Sequence, residues 1–223
     1  MPATAQQLKD KLKRLGEAVP EKSRVRLHRA ISWLKRAEQE EGDHDARFIF
    51  LWIAFNAAYA REFGFEKPER DLLKGFLAAL VKVDDERLIQ KVVFEQFTGP
   101  VRLLIDNKYV FDPFWRALRD HDGSNEWGMR FEQDKRAALR SVMSNDTVKV
   151  LGVIFDRLYV LRNQLVHGGA TWNGKVNRRQ GWRQPAGVAV AGDDRVDAGS
   201  SRDGAWGDCL SGGGGGVSSM HLG

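Results

Sequence analysis

Between Arg47 and Phe63 the chain reads FIFLWIAFNAAYA at its centre, a run apolar around the whole circumference of a helix, with Asn56 as its only polar member. A helix with no polar face has nothing to offer water, so other elements must enclose it. A membrane cannot be that enclosure, because nowhere does the sequence reach the roughly 20 apolar residues that a bilayer span requires. The run is therefore expected to be the buried middle of a helical bundle.

The flanking sequence supplies the rest of such a bundle. Leu8, Leu12 and Leu15 space a short first helix, and Leu27, Ala30, Ile31 and Leu34 give a second one apolar face. Leu72, Leu73, Phe76, Leu77 and Leu80 mark a helix after Pro68, and Leu88, Ile89, Val92, Val93 and Phe97 another. Pro100 opens a further short one. Asp112-Pro113 reads as a cap followed by a first-turn proline, starting a helix through Phe114, Trp115 and Leu118 that ends at the loop HDGSNEWG. A helix through Phe131, Leu139 and Val142 follows. The last runs from about Asp146, capped by Ser144-Asn145, to His167, where Gly168-Gly169 supplies a left-handed stop. No alternating strand pattern and no internal repeat interrupts this series. The expected fold is all-α, a bundle of about seven to nine helices.

After Gln180 the composition changes. Lys, Glu, Ile, Phe and Tyr vanish, and twelve of the chain's 23 glycines appear. Such a stretch cannot bury enough apolar surface to offset chain entropy, so the expectation is a helical domain over 1–180 and a disordered tail over 181–223. The tail's composition is either that of a genuine flexible segment or what a GC-rich gene yields when read out of frame, in which case it replaces a natural final helix. The single cysteine, Cys209, lies in the tail and excludes a disulfide framework or a cysteine-built zinc site. The N-terminus from Met1 to Arg14 is charged throughout and has no signal-peptide core, which points to a soluble, cytoplasmic protein. The net charge is +5, and because the tail holds three Arg and no Lys against five Asp, the helical part is nearer +7. That surplus favours a polyanionic partner such as RNA, although it is common among other proteins too.

On the last helix Leu151, Ile154, Phe155, Leu158 and Leu165 form a core stripe, while Asp156, Tyr159, Asn163 and His167 fall at spacings of four, three and four. Arg162 lies a step sideways within reach of the same surface. A guanidinium grips the oxygens of a phosphodiester with paired hydrogen bonds, and an imidazole moves the proton of a 2′-hydroxyl. The helix dipole favours the cationic form of a histidine in the last turn, so His167 can serve as acid as well as base. The bare Arg-to-His spacing arises by chance about once in two or three chains of this composition, and Arg116 and His121 repeat it here. Requiring Asn after the Arg, on a strongly periodic helix, lowers that to about one chain in a hundred.

LYVLRNQLVHGGATWNG, Leu158 to Gly174, resembles the signature helix of the HEPN superfamily, all-α domains whose motif is Arg, a polar residue, three variable positions and His. The run FIFLWIAFNAAYA resembles the inner helix of its Apea-like and related branches, and the likeness extends over about residues 20 to 180. It implies an endoribonuclease that needs neither metal nor cofactor and dimerises through the motif helix. It also implies a toxin-antitoxin or antiviral defence setting, with an antitoxin or a nucleotidyltransferase as partner. By the same likeness Arg162 holds the scissile phosphate, His167 activates the 2′-hydroxyl or protonates the leaving group, and Asn163 orients them. The tyrosine that such a transferase modifies three residues past the His is Ala170 here, so modification at that position is not expected. The family fold also continues with a helix after the motif, and without one the motif helix is expected to be half exposed.

Other residues carry two readings each. Tyr159 and Asp156 either orient the site or lie on a plain surface. Trp172 either stacks on a base or covers the helix end. Lys22, Arg26, Arg29 and Arg36 form a basic stripe that either tracks an RNA backbone or is a solvated face. Asn56 is expected to be a core amide satisfied by backbone or by a motif side chain rather than a catalytic group. The rival to a nuclease is a non-catalytic helical module that binds a nucleotide or a partner protein.

Overall fold

The computed structural model describes residues 3–59 and 69–174. The segment 181–223 and the expected end of the apolar helix at Phe63 lie outside the described residues. These contain nine α-helices and no strand, and none of the helices is long and apolar enough to cross a membrane.

The first three helices are α1 (Ala5–Leu15), α2 (Glu21–Glu38) and α3 (His44–Tyr59). Thr4 and Gln7 close a reciprocal capping box at the start of α1, satisfying two backbone donors that the first turn leaves open. Asp43 caps α3 on one side, accepting from the Ala46 N–H at 2.9 Å. α2 packs along α3, and with α1 they share a small core of Ala5, Leu34, Ala37, Leu51 and Ala54.

The chain continues through α4 (Glu69–Val83), α5 (Leu88–Lys91), α6 (Thr98–Ile105), α7 (Asp112–Arg119), α8 (Glu126–Met143) and α9 (Thr147–Val166). One wider π turn, Val92–Gln96, joins α5 to α6, and Lys108–Val110 forms a 3₁₀ turn before α7. The main core gathers Phe48, Trp52, Phe55 and Tyr59 of α3 around Leu151, Ile154, Phe155, Leu158 and Leu161 of α9. Phe55 stacks on Phe155 at 4.5 Å between centroids, within the range aromatic pairs prefer.

The apolar helix is thus enclosed as expected, but it shares the centre. α9 touches α3, α4, α6 and α8 and has nine buried residues, so it is enclosed on more sides than the half-exposed helix a missing successor would leave. Two caps differ from the sequence reading by one position. Asp146 caps α9, accepting from the Lys149 N–H at 3.1 Å, while Asn145 takes a left-handed turn at φ +54°. Phe111 stands at the cap of α7, and Asp112 begins the helix and pairs with Arg116 one turn on at 2.6 Å. The end of the HDGSNEWG loop is helical, since α8 starts at Glu126.

Burial on α9 sets the scale of a stability test. Ile154 is 3% exposed, so Ile154→Ala should cost about 3 kcal/mol, through lost transfer energy and the cavity left behind. Met143→Ala, at a side chain 82% exposed, should stay within about 0.5 kcal/mol. Urea unfolding of both variants measures the difference.

Candidate functional site

The motif occupies the last turn of α9 and the turn beyond it. His167 stands at the C-cap, and Gly168, at φ +72°, reverses the chain in a conformation that glycine adopts without a Cβ penalty. The His167 N–H still donates to the Asn163 carbonyl at 3.0 Å, so the helix holds the histidine's backbone in place while its side chain is exposed.

Arg162 Nη1 donates to Asn163 Oδ1 at 2.9 Å. Asn163 thereby joins the two outer members of the motif, Arg162 through its side chain and His167 through its backbone. The Arg162 guanidinium carbon lies 4.8 Å from the Tyr159 ring centroid and 5.6 Å from that of Trp52. Those two rings meet nearly edge-on at 6.1 Å. A cation seated on two aromatic faces gains roughly 0.5–2 kcal/mol and loses rotational freedom. Arg162 and Asn163 are accordingly half-buried, unlike the open histidine.

Tyr159 therefore belongs to the site as a seat for Arg162. Asp156 does not; it lies beside Arg157 on another flank of α9. Gln164 fastens the motif turn from below, donating from Nε2 to the Tyr109 carbonyl at 2.6 Å. Trp52 is the site residue that sequence reasoning missed. Its signal was its place in the one helix that had to pack inside, where it meets Phe155 and Tyr159 of the motif helix. Trp52 Nε1 and Asn56 Oδ1, one turn apart on α3, are buried with no hydrogen-bond partner among the described residues. The expectation that a backbone or motif group satisfies the Asn56 oxygen is thus corrected.

The basic stripe on α2 is also corrected. Arg26 is 8% exposed and reaches Ser23 Oγ at 3.4 Å, because it falls on the inward face with Leu34 and Ala37. Lys22, Arg29 and Arg36 are exposed, with Arg36 paired to Glu40 and its guanidinium over Phe50. Arg29 and Lys22 keep the solvated position, and α2 presents no continuous four-residue track. Among the described residues no group of three or more His, Cys, Asp or Glu side chains is placed to hold a metal ion.

Trp172 covers the start of α3. Its Nε1–H donates to Asp43 Oδ2 at 2.9 Å, and the Asn173 N–H donates to Asp45 Oδ2 at 2.7 Å. The ring itself is 68% exposed. The Ala46 amide and then the Trp172 indole hold the Asp43 carboxyl below its ordinary range by favouring the ionised form. A depressed carboxyl contributes stability that is present above about pH 3.9 and lost as pH falls through the lowered native value. The carboxyl carbon of Asp43, followed by NMR, should titrate below ordinary aspartates and move back toward them in Trp172→Phe. An unchanged midpoint in that variant would show that the indole does not engage the ionised carboxyl.

Comparison of the chain with family models, curated proteins and solved structures found no match, so the function of this site is argued from its own residues.

Proposed function

We propose that the chain is a metal-independent endoribonuclease of the HEPN type, acting as a homodimer in a toxin-antitoxin or antiviral defence setting. The observation that carries this reading is the Asn163 junction, which binds the Arg162 side chain and the His167 backbone at the open end of α9. A guanidinium, an amide and an exposed imidazole on one helix end are the groups that cleavage of RNA by its own 2′-hydroxyl requires.

In this mechanism the 2′-oxygen attacks the adjacent phosphorus and the 5′-oxygen leaves, so one P–O bond forms as the other breaks. His167 takes the 2′ proton or delivers one to the departing 5′-oxygen. Arg162, steadied by Trp52 and Tyr159, offsets the charge that grows on the non-bridging oxygens. Two motifs facing each other across a dimer divide the acid and base roles between two histidines. The products carry a 2′,3′-cyclic phosphate and a 5′-hydroxyl.

The half-buried seat of Arg162 on two rings favours a second reading, in which the arginine braces the helix and the domain binds a nucleotide or a protein without turnover. The two readings separate in one assay. As a nuclease, the full chain cleaves single-stranded RNA in EDTA to cyclic-phosphate ends. His167→Ala lowers the rate by about 10²–10⁴-fold with an unchanged circular dichroism spectrum. Arg162→Lys, which keeps the charge and loses the planar fork, should also cleave more slowly. Binding of RNA without turnover, or full activity in His167→Ala, would select the binding module.

A further inference from the structure

Five residues before Arg162, α9 carries a second guanidinium that the proposed chemistry does not use. Arg157 falls on the inward stripe Val150, Ile154, Arg157, Leu161, all of them buried, and is itself 5% exposed. Its guanidinium carbon stands 4.4 Å from the Phe111 ring centroid and 5.6 Å from that of Phe131. Rings answer the charge at the faces of a guanidinium but leave its in-plane N–H edge without acceptors. No hydrogen bond or ion pair from a described residue reaches that edge. Burial pulls the arginine's pKa down, and Asp134 and Asp156 oppose this only from a distance. The Arg157 nitrogens are not among the sealed polar atoms that lack a partner, so water reaches that edge, and an anion there exchanges water for charge-assisted hydrogen bonds.

Arg157 also lines the wall of a cleft of about 980 Å³ bounded by α7, α8 and α9. That volume suits a small molecule. We propose that this cleft binds a small molecule through a phosphate or carboxylate group, held in plane by the Arg157 fork. Two oxygens of a carboxylate or of a tetrahedral phosphate provide a pair of parallel acceptors for the guanidinium edge. Asp134 and Asp156 stand in the same wall, and Asp134 is exposed. Repulsion from such a solvated carboxylate is screened to about 1 kcal/mol at 4 Å, which leaves the desolvated arginine to dominate. The lining also carries Lys74, Arg116, Arg130 and Lys149 against Asp112, Asp120, Asp122 and Glu126, with Arg116 paired to Asp112 and Lys149 to Asp146, so the preference for an anion rests on Arg157 alone.

Gly152 makes the cleft testable without touching the arginine. It lines the cleft, and a Cβ built there meets nothing within 4 Å, so Gly152→Phe directs a ring toward the cleft with no clash at its Cβ. The experiment is a thermal melt of the full chain at fixed ionic strength, with inorganic phosphate or acetate replacing chloride. Phosphate, acetate or both should raise Tm saturably, by about 3–6 °C at tenfold excess over Kd. A response to phosphate alone assigns a phosphoryl ligand, and a response to acetate assigns a carboxylate. The shift should disappear in Arg157→Met and in Gly152→Phe, and persist in His167→Ala, which separates this cleft from the motif. Without anion, Arg157→Met should melt no lower than the parent chain. An absent shift in the parent, or a shift that survives in either folded variant, would overturn the proposal.

Discussion

The contact on which the rest of the molecule depends is the interlock of α3 with α9, centred on the Phe55–Phe155 stack and widened by Trp52 against Phe155 and Tyr159. α3 has no polar face to give to water, and α9 has very little. α2 encloses α3 along its length and α4, α6 and α8 enclose α9, while the rings join the two central helices. Because the rings fix both the rotation and the register of α9, they also determine which of its side chains reach the outside. The motif is exposed only where the helix runs out of neighbours, at its last turn.

Two arginines on that helix show how the same aromatic chemistry serves different ends. Arg162 rests on Tyr159 and Trp52 and has a side-chain acceptor in Asn163, so its charge is answered locally and its head is positioned. Arg157 rests on Phe111 and Phe131, with the charges of Asp134 and Asp156 farther off and no side-chain acceptor among the described residues. Five residues turn the two guanidiniums to different flanks, and Arg157 lines a cleft.

How far the sequence disclosed this depends on which physical signal each residue emits. The helices, their order and the inward stripe of α9 follow from apolar periodicity, and the stop at Gly168 follows from its left-handed turn. Arg162, Asn163 and His167 were identifiable because they break that periodicity on the final helix. Arg26 and Arg157 were hidden for the opposite reason. Both are charged residues at positions where spacing calls for an apolar one, and a count of charge treats them as surface. Their spacing relative to Leu34 and Ala37, or to Val150, Ile154 and Leu161, was the available clue. Trp172 was ambiguous because its partner, Asp43, is 129 residues away in the chain, and no local pattern reports so distant a hydrogen bond. The shift of the α9 cap from Asn145 to Asp146 is a one-residue matter that periodicity cannot resolve.

The same distant bond bears on how the molecule is made. Asp43 and Asp45 receive donors from residues that leave the ribosome 129 and 128 positions later. In a nascent chain α3 starts with its cap half complete, and the joint closes only once α9 has been synthesised and has turned at its glycine. The tryptophan and the two carboxylates thus act as a latch on finished assembly. A chain ending just after the motif histidine would keep every helix described here yet leave that latch open.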